Sequence, residues 1–336
     1  MSRGPFYIGI DLGGTLIKGA RFDAAGELLQ EDREESRAEG PAEGVVDALC
    51  TLIERLTPRR ASGAPARSAP AGVGVGAAGV LDLGAGVVVE SPNLKCLSGF
   101  PLRQRLEGRL GTRVLLENDA NAAGLGEWAR GAGRGSLSMV LLTLGTGVGG
   151  AIILDGKLWH GAVGAAGEVG HMCILADGPE CQCGSRGCLE ALVGARAINE
   201  RARRKAAEAP ESALASCPDP SPEDLGRLAG GGDRDALAIW VETGYYLGIG
   251  IANLINIFNP ERAILVGGLT GAGEALLAPA RESIRRHAFA RSAQSCLVRW
   301  GELGNRAGVI GAVWPFLEGA RGRRRKTARR SAAGGR

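Results

Sequence analysis

"FYIGIDLGGTLIKGARFD", residues 6–23, sets an apolar run, a glycine turn and a second apolar run in succession. Gly13 and Gly14 can take positive φ there, which lets backbone N–H groups converge on an anion. The stretch reads as strand, phosphate-binding turn and strand. Asp11 can hold Mg²⁺ through water, and Thr15 can donate to a phosphate oxygen. A plain hairpin turn fits the same letters. A second copy follows: "SMVLLTLGTGVGGAIILDG", residues 138–156, repeats the plan with Gly145, Thr146 and Gly147 in its turn. "GTGVGG" has the outline of a dinucleotide fingerprint, but the strand "AIIL" follows where a helix is required. Two such units in a chain that alternates strands and helices predict a duplicated α/β fold with two lobes and a cleft.

Outward from these turns, "ELLQEDREES" is a third strand. Residues 42–56 space Val45, Val46, Leu49, Leu52, Ile53 and Leu56 as one helical face. Residues 57–70 read as a loop. "AGVGVGAAGVL" and "RVLLEN" are buried strands, the second followed by a helix over 119–130. A helix over 188–208, a polar loop over 209–222 and a long buried helix over 235–258, stopped by Asn259-Pro260, come next. "RAILVGGL", residues 262–269, is a strand ending in Gly267 and Gly268 ahead of a helix, which suits a nucleotide base or ribose. A helix over 305–318 closes the pattern.

The 336 residues are 45% apolar and 23% charged, a globular balance, with 55 glycines concentrated in short loops. The net charge of +4 comes from the tail. After Glu318 there are seven Arg, one Lys and no acid; without those eight, 32 basic side chains face 36 acidic ones, leaving −4. The body is mildly acidic, so no nucleic-acid partner is expected, and the tail from Gly319 is expected to be a solvated, disordered run. The longest apolar stretch, "YYLGIGIANLINIF", is too short to span a bilayer, and "FYIGID" follows Met1 with no leader pattern. A cytoplasmic protein with reduced thiols is expected.

Two further clusters carry chemistry. "LLENDANAAGLGEW" puts Glu117, Asn118, Asp119 and Asn121 where a strand becomes a helix. One of them as an N-cap is ordinary. The whole polar group at a strand's carboxyl end suits a general base for a hydroxyl. "CQCGSRGCLE", residues 181–190, packs Cys181, Cys183 and Cys188 into eight positions, ten residues after His171. Three thiolates and an imidazole suit tetrahedral Zn²⁺; unligated thiols are the alternative.

Together these pieces resemble the ROK family of sugar kinases and sugar-responsive repressors, within the hexokinase–actin-like ATPase group. The match runs over about residues 6–318. It rests on "DLGGT", "SPNL" at 91–94, "ENDANAAGLGE", "LGTGVGGAI", "GEVGHM", "CQCGSRGCLE", "NPERAILVGGL" and "GVIGAV", in that order. "GAAGVLD" departs from the family's G-x-P-G form, with Ala78 in place of proline, and "VGGLT" lacks a further glycine.

The resemblance implies two RNase H-like (actin-like ATPase) lobes. One is residues 1–118, with the helix 305–318 packing back on it; the other is 119–304 with a zinc-bearing loop; 319–336 form the basic tail. It implies an ATP-dependent glucokinase that makes glucose 6-phosphate with Asp119 as base. Kinases for fructose, mannose, N-acetylglucosamine or N-acetylmannosamine are the alternatives. A sugar-sensing repressor is disfavoured because "DLGGT" at residue 11 leaves no room for a helix-turn-helix domain ahead of it. By motif, ATP and Mg²⁺ fall to Asp11, Gly13, Gly14, Thr15, Lys18, Gly145, Thr146, Gly147, Gly267 and Gly268. The hexose falls to Gly79, Asn93, Asn118, Asp119, Glu168, His171 and Glu190. Zinc falls to His171, Cys181, Cys183 and Cys188, and a homodimer is the family expectation.

Overall fold

Strand pairing follows from the first turn. In the computed structural model, which describes residues 4–58, 69–217 and 220–319, Phe6–Leu12 (β1) and Leu16–Asp23 (β2) pair antiparallel, with Asp11 opposite Lys18. Leu28–Glu35 (β3) adds to β2. Ala42–Leu56 (α1) leads to Val73–Ala77 (β4), a small hairpin of Val80–Asp82 (β5) and Val87–Glu90 (β6), and Leu102–Leu110 (α2). Val114–Asn118 (β7) then runs straight into Asp119–Arg130 (α3). The sheet order is β3-β2-β1-β4-β7, and β1, β4 and β7 are parallel.

The second turn builds the same sheet again. Met139–Leu144 (β8), Val148–Leu154 (β9) and Lys157–Leu158 (β10) form an antiparallel meander. Leu189–Val193 (α4), Ala195–Glu208 (α5), Pro222–Gly230 (α6) and Arg234–Phe258 (α7) precede Arg262–Val266 (β11). Glu274–His287 (α8), Ala290–Ser295 (α9) and Leu297–Trp300 (β12) follow. The order β10-β9-β8-β11-β12, with β8, β11 and β12 parallel, matches the first sheet strand for strand. This is the duplicated α/β architecture that the paired turns predict, and the actin-like ATPase fold that the family resemblance implies.

Parallel strands covered on both faces are apolar throughout, and β1 and β4 are buried along nearly their whole length. Ile8 and Ile10 pack with Leu49, Leu52 and Ile53 of α1 in one core. Gly9 lies on the opposite face by strand alternation, and a helix over 307–319 approaches there. A Cβ at Gly74 would overlap the carbonyl oxygen of Ala312, so the glycine admits the helix backbone against β4. A second core gathers Leu142 and Leu265 with Trp240, Leu247 and Ile251 of α7.

The chain divides into two compact units, and the boundary differs from the expected one at 118. Unit one holds the described residues up to Arg130, His160–Ala165 and the described residues from Asn305 on; unit two holds Gly131–Trp159 and Ala166–Gly304. α3 stays with unit one because it lies on β4: a Cβ at Gly76 would come within 3.0 Å of the Ala122 Cβ.

Other differences have local causes. The helix expected over 188–208 breaks at Gly194, where α4 ends with ψ at 160° before α5 begins. The loop expected over 209–222 contains a 3₁₀ turn at Leu214–Ser216, and its end is the Ser221 capping box of α6. Gly319, expected in the tail, is helical; residues 320–336, 59–68 of the expected loop and 218–219 lie outside the described residues. Among the described residues no helix is long and apolar enough to cross a membrane.

Candidate active site

In unit one, register gathers the candidate residues. Asp11 stands beside Gly76, Leu12 beside Ala77, and Ala77 beside Asn118, so the carboxyl ends of β1, β4 and β7 coincide. Ligands of α/β sheets bind at such strand ends. The Gly13 N–H donates to the Leu16 carbonyl at 3.1 Å and closes the first turn. Ser36 ties the turn to β3, its hydroxyl on the Gly14 carbonyl and its N–H on the Thr15 carbonyl. Thr15 is exposed. Asn93 belongs to this group, because a Cβ at Gly14 would lie 2.8 Å from its backbone oxygen.

Asp11 and Lys18 face each other at 3.7 Å, and Lys18 also donates to Asn305 Oδ1 at 3.2 Å. Burial raises the Asp11 carboxyl pKa, and Lys18 opposes that shift.

Asn118 is used on both of its polar ends. Its Oδ1 accepts the N–H groups of Ala120 at 2.9 Å and Asn121 at 3.1 Å, so it caps α3. Its Nδ2 donates to the Gly79 carbonyl at 3.1 Å. Gly79 sits at φ 111°, with Glu90 and Ser91 against the place a Cβ would take, so only glycine presents that carbonyl to Asn118. Asp119 is in the first turn of α3, half-buried, with Oδ1 accepting the Ala120 N–H at 2.9 Å.

In unit two, the Gly145 N–H donates to the Gly147 carbonyl at 3.0 Å and closes the second turn. Gly267, at φ 104°, has the Leu144 carbonyl where a side chain would project, so the β11 turn lies against the residue before Gly145; Gly268 opens the 3₁₀ turn that follows. Glu190 of α4 accepts the Val148 N–H at 2.8 Å, and the Ala195 N–H donates to the Gly145 carbonyl at 3.0 Å. The break at Gly194 allows this, since a Cβ there would sit 3.0 Å from the Thr146 carbonyl oxygen.

His171, Cys181, Cys183 and Cys188 bring their donor atoms within 4.8 Å of one another. The Cys181 Sγ lies 3.7 Å from His171 Nδ1, and the Cys183 and Cys188 sulfurs are 3.8 Å apart. A tetrahedral ion with metal–sulfur bonds of about 2.3 Å sets its sulfurs roughly 3.8 Å apart, so the spacing and the S₃N donor set fit Zn²⁺. Burial, then the neighbouring thiols, push the Cys188 thiol up to about 12, and burial raises Cys181. The backbone at Ser185 lowers Cys183. The other face of the His171 ring, Nε2, lies 3.9 Å from Glu168 Oε2, and Glu168 itself is exposed. Cys181 Sγ lies 4.0 Å from Glu190 Oε1.

One participant escaped the sequence reading. His160 Nε2 lies 2.8 Å from Glu117 Oε2, beside Asn118. The partners are 43 residues apart, and no local pattern signals the pair.

Residues 7–318 match the ROK family. The glucokinase of Halalkalibacterium halodurans is 38% identical over 315 residues, covering 92% of this chain and 94% of its own. The crystal structure of a ROK hexokinase from Thermus thermophilus matches with a TM-score of 0.74 at 36% identity, over 92% of this chain and 96% of that one. A ROK family glucokinase from Streptomyces griseus, in complex with glucose and AMPPNP, matches with a TM-score of 0.76 at 34% identity, over 92% and 98%. With both glycine turns, the Asn118–Asp119 strand end and the cysteine–histidine cluster formed as described, the chain belongs to the ROK family.

Proposed function

We propose that this protein transfers the γ-phosphoryl group of ATP to the 6-hydroxyl of glucose, giving glucose 6-phosphate and ADP. The carrying observation is the register that sets Asp11, Gly79 and Asn118–Asp119 at one end of three parallel strands. The glucokinase relatives and the glucose- and AMPPNP-bound relative support the choice of donor and acceptor.

The Asp119 carboxylate takes the hydroxyl proton as the new P–O bond forms. Phosphoryl transfer through a loose transition state asks for position more than for a strong base, and the head of α3 supplies position. Asn118, held by the Gly79 carbonyl, keeps its second amide hydrogen for a sugar hydroxyl. Glu168, His171 and Glu190 are assigned further sugar contacts, as are Gly79 and Asn93. The glycine turns at 13–14 and 145–147, with Thr15 and Thr146, take the phosphates; Gly267 and Gly268 take the base and ribose. The Asp11 carboxylate fits a water-bound Mg²⁺, which neutralises phosphate charge when present. Zn²⁺ held by His171, Cys181, Cys183 and Cys188 is structural, since four protein ligands close its shell. The same reading carries a homodimer and a cytoplasmic setting.

A coupled assay with ATP and glucose, fructose, mannose, N-acetylglucosamine and N-acetylmannosamine tests it. Glucose should give the highest kcat/KM. A higher value for another hexose replaces the substrate, and glucose binding without turnover replaces the kinase by a sugar sensor.

A further inference from the structure

Glu117 is the residue before Asn118, and both of its carboxylate oxygens are engaged. Oε1 accepts from the Asn118 backbone N–H at 3.0 Å and from Asn121 Nδ2 at 3.1 Å, across the first turn of α3. Oε2 meets His160 at 2.8 Å. The carboxylate therefore braces the turn that begins with Asp119 on one side and holds an imidazole on the other.

His160 is the first residue of a segment, His160–Ala165, that belongs to unit one while its neighbours in sequence belong to unit two. The rest of the segment is "GAVGA", with Gly161 at φ 71° and Gly164 at φ 80°. Val163 is 84% exposed. Among the described residues, none of 161–165 makes a hydrogen bond. His160 is thus the polar anchor of the segment. Together with the β5–β6 hairpin the segment lines a cavity of about 550 Å³, walled by Val80, Leu81, Asp82, Val89, His160 and Val163. Gly79, whose carbonyl holds Asn118, is the residue just before that hairpin.

A partly exposed ion pair contributes little to stability. Geometry is the stronger consequence, because displacing a reacting group by about 1 Å costs on the order of 100-fold in rate. We propose that the Glu117–His160 pair is a positioning device for the acceptor hydroxyl: it fixes Asn118 and Asp119 at the head of α3 and holds residues 160–165 beside the β5–β6 hairpin that Gly79 precedes. This rests on the reading of Asp119 as the base.

Steady-state kinetics on the full chain test it, with ATP and the hexose that wild type prefers, for His160→Ala, His160→Gln, Glu117→Gln and the double variant Glu117→Gln/His160→Ala. His160→Ala should lower kcat/KM for the hexose by about 10–100-fold. KM for ATP should stay within about twofold, and the melting temperature should change little. Glutamine can still donate to Glu117, so His160→Gln should recover most of the loss. The double variant should lose no more than the worse single variant, the signature of coupled partners. Independent, additive losses, no recovery by glutamine, or an equal rise in the KM for ATP would overturn the proposal. Wild-type turnover alone judges the kinase reading, and ratios among variants judge the pair. A wild type that takes no hexose overturns both.

Discussion

Glu190 Oε2 accepts the Val148 N–H at 2.8 Å, while Glu190 Oε1 lies 4.0 Å from Cys181 Sγ. One carboxylate therefore links the cysteine–histidine loop to the second glycine turn. The turn assigned to ATP phosphates and the loop assigned to zinc share a brace within one unit.

Metal loss should accordingly be felt at both substrates. Purified protein should carry about one zinc per chain. Stripping it with a chelator, or making Cys183→Ser, should lower the melting temperature and weaken both glucose and AMPPNP binding, measured by calorimetry. A metal-free preparation with unchanged affinity for AMPPNP would break the link proposed through Glu190.

Gly147→Ala tests the same link without touching a metal ligand. Its new methyl would overlap Glu190 Oε2 and force the carboxylate off Val148. A hydrogen bond to a charged group is worth about 1.5–3 kcal/mol, so the KM for ATP should rise by roughly 10–100-fold. Zinc content should stay at the wild-type value. An unchanged KM would mean that the turn does not depend on Glu190.

Asp119→Asn should leave the fold intact and remove turnover. Asparagine is nearly isosteric and can still accept the Ala120 N–H, so the melting temperature should hold. Loss of the base should lower kcat by about 10²–10⁴. Near-normal kcat would remove Asp119 from the role of base.

The Glu117 carboxylate raises the His160 pKa, against the opposing pull of burial. A histidine with a raised folded pKa adds stability that is complete below its unfolded value, about 6.5, and is lost as pH climbs through the folded value. The thermal advantage of wild type over His160→Gln should therefore be largest in mild acid and fade in base. It should also be small, since the His160 side chain is 36% exposed and its charge is screened. Melting curves from about pH 5 to about pH 9 will show the trend; an advantage that grows with pH contradicts it.

The turns and their strands were legible because a glycine turn between apolar runs is a local pattern, and its repetition at 138–156 gave the duplicated sheet. α1 and α7 were legible from helical spacing over fifteen and twenty-five residues. β12, four residues long, and the β5–β6 hairpin carry too few residues for periodicity to speak. The break at Gly194 answers to the Thr146 carbonyl, nearly fifty residues earlier, and α3 joins unit one through Ala122 against Gly76. The Cys–His set was legible as a set. That Nδ1 of His171 turns to Cys181 and that Glu190 reaches Val148 are facts of folding, with no trace in spacing.

The helix over 307–319 has a consequence for synthesis. Val309, Ala312, Val313 and Leu317 are buried, and the helix backbone fills the space above Gly9 and Gly74. The first strand of unit one therefore leaves the ribosome before any part of unit two, and the helix that covers it leaves after all of unit two. Unit two, contained in residues 131–304, has all of its strands available earlier. Domains of nascent chains ordinarily mature from the N-terminus onward. Here the sheet of unit one must wait, with its glycine-lined face uncovered, until the whole of unit two has been made.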